Sequence, residues 1–295
     1  MSARKSTRAR PYGARPTRRT PAEIDTIRAA IHDVLEEQHP ATLRGVFYQL
    51  VSRGVVPKTE AAYKSTVGRL LTRMRLDGEV PFEWVADNTR WVRKSASFAN
   101  LGDMLRRSQD LYRRDLWASQ DAYVEVWLEK EALAGVLFDV TDEWDVPLMV
   151  TRGYPSLTYV ASAAEAIRDV AKPAHLYYFG DHDPSGVDIP RSVEARLREL
   201  APAAEITFSV VAVTAEQIVS LGLPTRPTKA TDSRSRNFAG ESVEVDAIPA
   251  PTLRAMVGDV IEAHVDRDAL ARLQLIEDAE RDTLDEMVSM YGGSR

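Results

Sequence analysis

The sequence predicts an α/β protein in two parts: N-terminal helices with a β-wing, then a parallel sheet extended by C-terminal helices. Three observations predict it. Apolar residues recur at helical spacing in successive segments between residues 21 and 76; a short aromatic stretch rich in turn residues follows. From residue 121 onward strand-like and helix-like runs alternate, the pattern of a parallel sheet. The divisions expected are a basic, disordered arm over 1–20, a winged helix-turn-helix over 21–94, a helical connector over 95–120, and the sheet domain with its extension over 121–295.

The first helix has Thr20 as N-cap, Pro21 at its first position, and Ile24, Ile27, Ile31, Val34 and Leu35 on one stripe, with Pro40 closing it. A second runs from near Thr42 to Gly54, and a third from about Glu60 to Leu76. "GEVPFEWVADNTRWV" then reads as a hairpin or wing. Leu101, Met104, Leu105, Leu111, Tyr112 and Leu116 among charges mark the connector. In the second part "AYVEVWLE", "VPLMV", "HLYYFG" and "EITFSVVAV" read as strands, with helices over 130–143 and 156–170. Thr214 and Gln217 form a capping box, "ESVEVDAI" reads as a further strand, and two helices end the chain.

Composition narrows the chemistry. With 44% hydrophobic and 28% charged residues and no long apolar run, the chain reads as soluble, with no membrane partner. It has no cysteine, which excludes disulfides and thiolate chemistry and leaves oxygen or imidazole to hold any metal. Lack of a secretory pattern suggests a cytoplasmic, nucleoid-associated location. The net charge is −6, yet residues 1–20 hold Arg4, Lys5, Arg8, Arg10, Arg15, Arg18 and Arg19 without an acid. Such an arm suits nucleic-acid phosphates, although a solvated tail would have the same composition.

Ligands of open α/β sheets bind beyond the carboxyl ends of the strands. Glu129 follows "YVEVWL", Gly153 follows "PLMV", and Asp181 and Asp183 follow "LYYF", so successive strand ends bring three acids to one rim. Hard carboxylate oxygens gathered there suit Mg²⁺. Turn chemistry alone would also favour aspartate in such a loop.

The ordered runs "WLEKEAL", "TRGYPSL" and "GDHDPSG" resemble the Toprim domain, and within it the topoisomerase VI A subunit and the meiotic double-strand-break transesterase. Stand-alone homologues called topoisomerase mini-A look most similar. The resemblance covers most of residues 40–260 through short motifs. It implies that Glu129, Asp181 and Asp183 coordinate Mg²⁺, with Glu129 also catalytic and Gly153 and Gly186 shaping the turns. "TLRGVFYQLVSRG" looks like the family's catalytic helix, which makes Tyr48 the nucleophile and Arg44, four residues earlier, its phosphate-positioning partner. On that helix Tyr48 is expected off the apolar stripe of Leu43, Val46, Phe47, Leu50 and Val51.

The implied activity is Mg²⁺-dependent cleavage of double-stranded DNA by a homodimer, with a 5′-phosphotyrosyl link. Lys64, Arg69 and Arg73 of the third helix, Arg90 and Arg93 of the wing, Lys130, and Arg226 and Lys229 of a proline-broken loop are the candidate DNA contacts. No P-loop is present, so an ATPase would be a separate subunit. Two other readings stay open: a Toprim nuclease using metal-activated water, and a winged-helix DNA-binding protein without catalysis.

Overall fold

The computed structural model describes residues 19–86, 95–227, 238 and 241–291. The basic arm before Arg19, the second half of the expected wing with Arg90 and Arg93, and Lys229 lie outside these residues.

α1 (Pro21–Gln38) begins with the expected cap: the Thr20 hydroxyl accepts from Glu23 N–H, and the Glu23 carboxylate accepts from Thr20 N–H. α2 (Leu43–Ser52) is capped by Thr42. A π-wound turn, Ala62–Gly68, runs directly into α3 (Arg69–Leu76). The described half of the wing segment forms no strand. Phe82–Trp84 is a single 3-10 turn, and one bridge ties Val85 to Ala41. α4 (Leu101–Leu111) is the connector helix, its Asn100 side chain accepting from Asp103 N–H.

β1 (Tyr123–Leu128), α5 (Ala134–Glu143), β2 (Leu148–Val150), α6 (Leu157–Val170), β3 (Ala174–Phe179), α7 (Pro184–Leu200) and β4 (Ile206–Ala212) then alternate as expected. α8 (Ala215–Ser220) carries the Thr214–Gln217 capping box, and α9 (Ala250–Glu262) and α10 (Arg267–Tyr291) end the described chain. The four strands are all parallel in the order β2-β1-β3-β4. The chain leaves β1 toward β2 on one side and returns to β3 on the other, so the order reverses between β1 and β3. That is where a crevice opens outside the carboxyl ends.

The period of two along β1 divides the core. Val124, Val126 and Leu128 face a cluster shared with α5, α9 and the helices α1 to α3; Trp127 faces α6 and α7 with Leu176 and Tyr178. One continuous apolar cluster therefore joins the N-terminal helices to the sheet.

The segment 241–248 is not a strand of this sheet. Single bridges pair Ser242 with Arg226 and Val243 with His182, and Val245–Ala247 then turns. Val243 and Val245 are buried, but so are Ser242, Glu244 and Asp246 between and beside them, because the segment crosses the strand ends instead of running beside a strand. Its acids decide the path, since Glu244 and Asp246 are drawn to cations on the rim.

Candidate active site

Glu129 and Asp181 meet at the switch point. The N–H of Glu129 donates to the Phe179 carbonyl at 2.9 Å, which keeps the ends of β1 and β3 level. Glu129 Oε2 then accepts from Asp181 N–H at 2.9 Å. Two glycines permit the approach. A Cβ on Gly180 would stand 2.6 Å from Glu129 Oε2, and one on Gly186 would stand 1.9 Å from the Asp181 carbonyl oxygen. Gly153 serves a different need, its φ of 87° lying in the left-handed region after β2.

Asp183 is the N-cap of α7: its Oδ1 accepts from Ser185 N–H at 3.0 Å and Gly186 N–H at 2.8 Å. Asp181 Oδ1 accepts from Val245 N–H at 2.9 Å and lies 3.0 Å from Lys130 Nζ. Burial and the Asp181 charge push the Glu129 carboxyl up to about 7. Burial also raises Asp181, against the pull of Lys130. A divalent cation would relieve both, and the three acids offer it only hard oxygen ligands, a donor set that fits Mg²⁺. As they stand their ligand atoms do not close on one point. Among the described residues the acid and imidazole group lying within 4.8 Å of one another is instead His32, Asp33 and Glu36, on α1.

Glu244, which the sequence motifs did not single out, joins the two halves of the site. Its Oε2 lies 3.0 Å from Arg44 Nη1 and 3.1 Å from Lys130 Nζ, and its Oε1 lies 3.0 Å from Arg226 Nη1. Burial works against its charge, but Lys130, Arg44 and Arg226 outweigh that and hold its carboxyl below the usual range. Lys130 also reaches Asp246 at 2.9 Å, and Asp246 accepts from the Thr42 hydroxyl that caps α2. Burial alone would lower the Lys130 ammonium; its acidic neighbours raise it instead. A cleft of about 920 Å³ opens here, lined among others by Arg44, Tyr63, Glu129, Lys130, Asp181 and Arg226.

Tyr48 corrects one expectation. It lies in the core at 3% exposure, tilted against the Phe47 ring 5.5 Å away, with Lys58 Nζ 5.2 Å from its ring centre. α2 buries two faces, because Thr42 and Gln49 bond to Asp246 and Ala247 on the side the apolar stripe leaves open. Burial first, and Glu244 next, push the Tyr48 phenol up to about 12. Arg44 is better placed, its guanidinium 4.7 Å above the Tyr63 ring and facing the cleft.

The remaining candidates divide. Lys64, Arg69 and Arg73 are exposed on one helical segment, Lys64 paired with Glu60 and Arg73 with Asp77. Arg226 belongs to the rim, 3.9 Å from Asp183 Oδ2. His182 pairs through its backbone with Val243, and Glu131 pairs with Arg152, so neither joins the acidic set. No helix among the described residues is long and apolar enough to cross a membrane. No protein-family model matches the sequence, and no curated protein does.

Proposed function

We propose that this chain is a Mg²⁺-dependent DNA-cleaving transesterase of the winged-helix and Toprim type, acting as a homodimer. The observation that supports it is the meeting of Arg44, on the helix that carries Tyr48, with the switch-point acids through Glu244 and Lys130. The basic segment of Lys64, Arg69 and Arg73 supplies phosphate contacts, and Arg226 extends them along the cleft.

In this reading the Tyr48 phenolic oxygen forms a bond to the backbone phosphorus, the bond from phosphorus to the 3′ oxygen breaks, and the phenolic proton is in net terms transferred to that oxygen. Arg44 holds the unesterified oxygens and disperses charge on them. Glu129, Asp181 and Asp183 would hold Mg²⁺, which supplies electrostatic stabilisation of the phosphoryl group. A phenol titrating at about 12 is a poor nucleophile at neutral pH, so the contacts that bury it must loosen when DNA binds.

The test is covalent trapping. Incubated with Mg²⁺ and supercoiled DNA and then denatured, the wild-type protein should carry DNA, and Tyr48→Phe should not. Absence of an adduct in wild type, or equal amounts in both, overturns the reading.

The burial of Tyr48 favours a second reading, hydrolysis in which water attacks the phosphate. Its mark would be free 5′ phosphates that persist undiminished in Tyr48→Phe.

A further inference from the structure

We propose that Arg44, Lys130 and Arg226 form a subsite for a single phosphodiester, and that Glu244 fills it from within the chain as a displaceable internal anion. The ligand class rests on the DNA-cleaving reading; the subsite itself rests on the cation cluster.

The cations come from three separate places: α2, the end of β1, and the loop before the described segment 241–248. They converge on both oxygens of one carboxylate, at 3.0 Å from Arg44, 3.1 Å from Lys130 and 3.0 Å from Arg226. Glu244 is only 7% exposed, so this is a built site and not a loose surface pairing. A carboxylate presents two oxygens sharing one negative charge. A phosphodiester presents two unesterified oxygens sharing the same charge, and guanidinium forks match both. A phosphomonoester would bring nearly twice the charge into a cleft that already holds Glu129 and Asp181.

Displacement requires only that the Glu244 side chain turn. Its backbone neighbours are fixed by the Ser242 pair with Arg226, the Val243 pair with His182, and Val245 N–H on Asp181. The cleft of about 920 Å³ beside it has room for the rotated side chain. The same carboxylate also raises the Tyr48 phenol, by its charge and by hydrogen bonding. A phosphodiester that takes its place inherits the three cation contacts and brings the same single charge to them. Asp181 and Asp246 remain on Lys130 after the exchange, so the cluster is not left with unbalanced charge.

Dimethyl phosphate, a lone phosphodiester, and a fluorescent 20-base-pair duplex serve as probes, both with EDTA present so that no cleavage intervenes. Glu244→Gln is expected to bind each probe roughly tenfold more tightly than wild type, since it vacates charge-assisted contacts. Adding Arg226→Met to Glu244→Gln should abolish the gain. Equal or weaker binding of dimethyl phosphate by a folded Glu244→Gln overturns the proposal. If Glu244→Gln does not fold, Arg226→Met alone decides: reduced affinity of the otherwise wild-type chain for dimethyl phosphate is expected, and unchanged affinity overturns the subsite. Failure of every variant to bind the duplex, with the dimethyl phosphate gain intact, would sink the DNA reading and leave the subsite standing.

Discussion

Lys130 Nζ stands 3.0 Å from Asp181 Oδ1 at the head of the parallel sheet, while the same ammonium reaches Glu244 and Asp246. One cation thus serves three acids that burial has taken from water. Lys130→Met keeps most of the side-chain volume and removes the charge. It is expected to cost about 3–5 kcal/mol, the usual penalty for stranding buried charge, read from urea unfolding of the variant against wild type. A loss below about 1 kcal/mol would mean that water already solvates these carboxylates.

Gly186→Ala probes the loop that presents Asp181. The new methyl group would meet the Asp181 carbonyl at 1.9 Å, so backbone must move. The expected outcome is a loss of roughly 1–3 kcal/mol with weakened divalent binding, because Asp181 is the residue displaced. Calorimetric titration with Mn²⁺ measures the second effect, and unchanged Mn²⁺ affinity would contradict it.

Metal addition and removal should be visible without any substrate. Mg²⁺ at a hundred times its dissociation constant stabilises a one-site protein by about 2.7 kcal/mol, and EDTA should reverse the shift. Asp181→Asn should abolish it, whereas Tyr48→Phe should leave it intact. Persistence of the shift in Asp181→Asn would direct attention to His32, Asp33 and Glu36.

Glu125 predicts a pH dependence away from the cleft. Buried on β1, it accepts from the Tyr123 hydroxyl at 2.8 Å and from Trp127 Nε1–H at 2.7 Å. Burial pushes its carboxyl from the ordinary 4.5 up to about 6, against the pull of those two hydrogen bonds. The folded state then holds a proton that the unfolded chain has released. Its stabilising contribution is complete below about 4.5 and fades as pH rises through about 6, a change of about 2 kcal/mol. Glu125→Gln can still accept from Trp127 and can donate to Tyr123. It should flatten that part of the wild-type profile in urea melts between pH 4.5 and 7.5; parallel profiles would refute the assignment.

Much of this architecture was legible because short-range rules dominate it. The Thr20 N-cap, the Thr214 capping box, the apolar stripe of α1 and the β-branched runs of β1 and β4 need no distant partner to be read. The rim position of Glu129 and Asp181 followed from strand ends alone. α7 was legible but passed over, although Asp183 followed by Pro184 is a strong helix start. The burial of Tyr48 and the role of Glu244 were not legible. Both depend on residues 241–248 folding back over a helix some 200 positions earlier, and periodicity within α2 cannot register a second partner. "ESVEVDAI" misled for the same reason: its alternation suggests one solvent-facing side, yet Ser242, Glu244 and Asp246 are buried with the valines by partners far along the chain.

The contact between α2 and Asp246 and Ala247 has a consequence for how the molecule melts and how it can be cut. Val46, Leu50 and Val67 belong to the same apolar cluster as Leu128, Val245 and Leu253, so the interior of the amino-terminal helices runs on into that of the sheet. A fragment ending near residue 94 would leave that greasy seam facing water and should precipitate or stay unstructured. Heating should accordingly unravel both ends of the chain in one concerted transition.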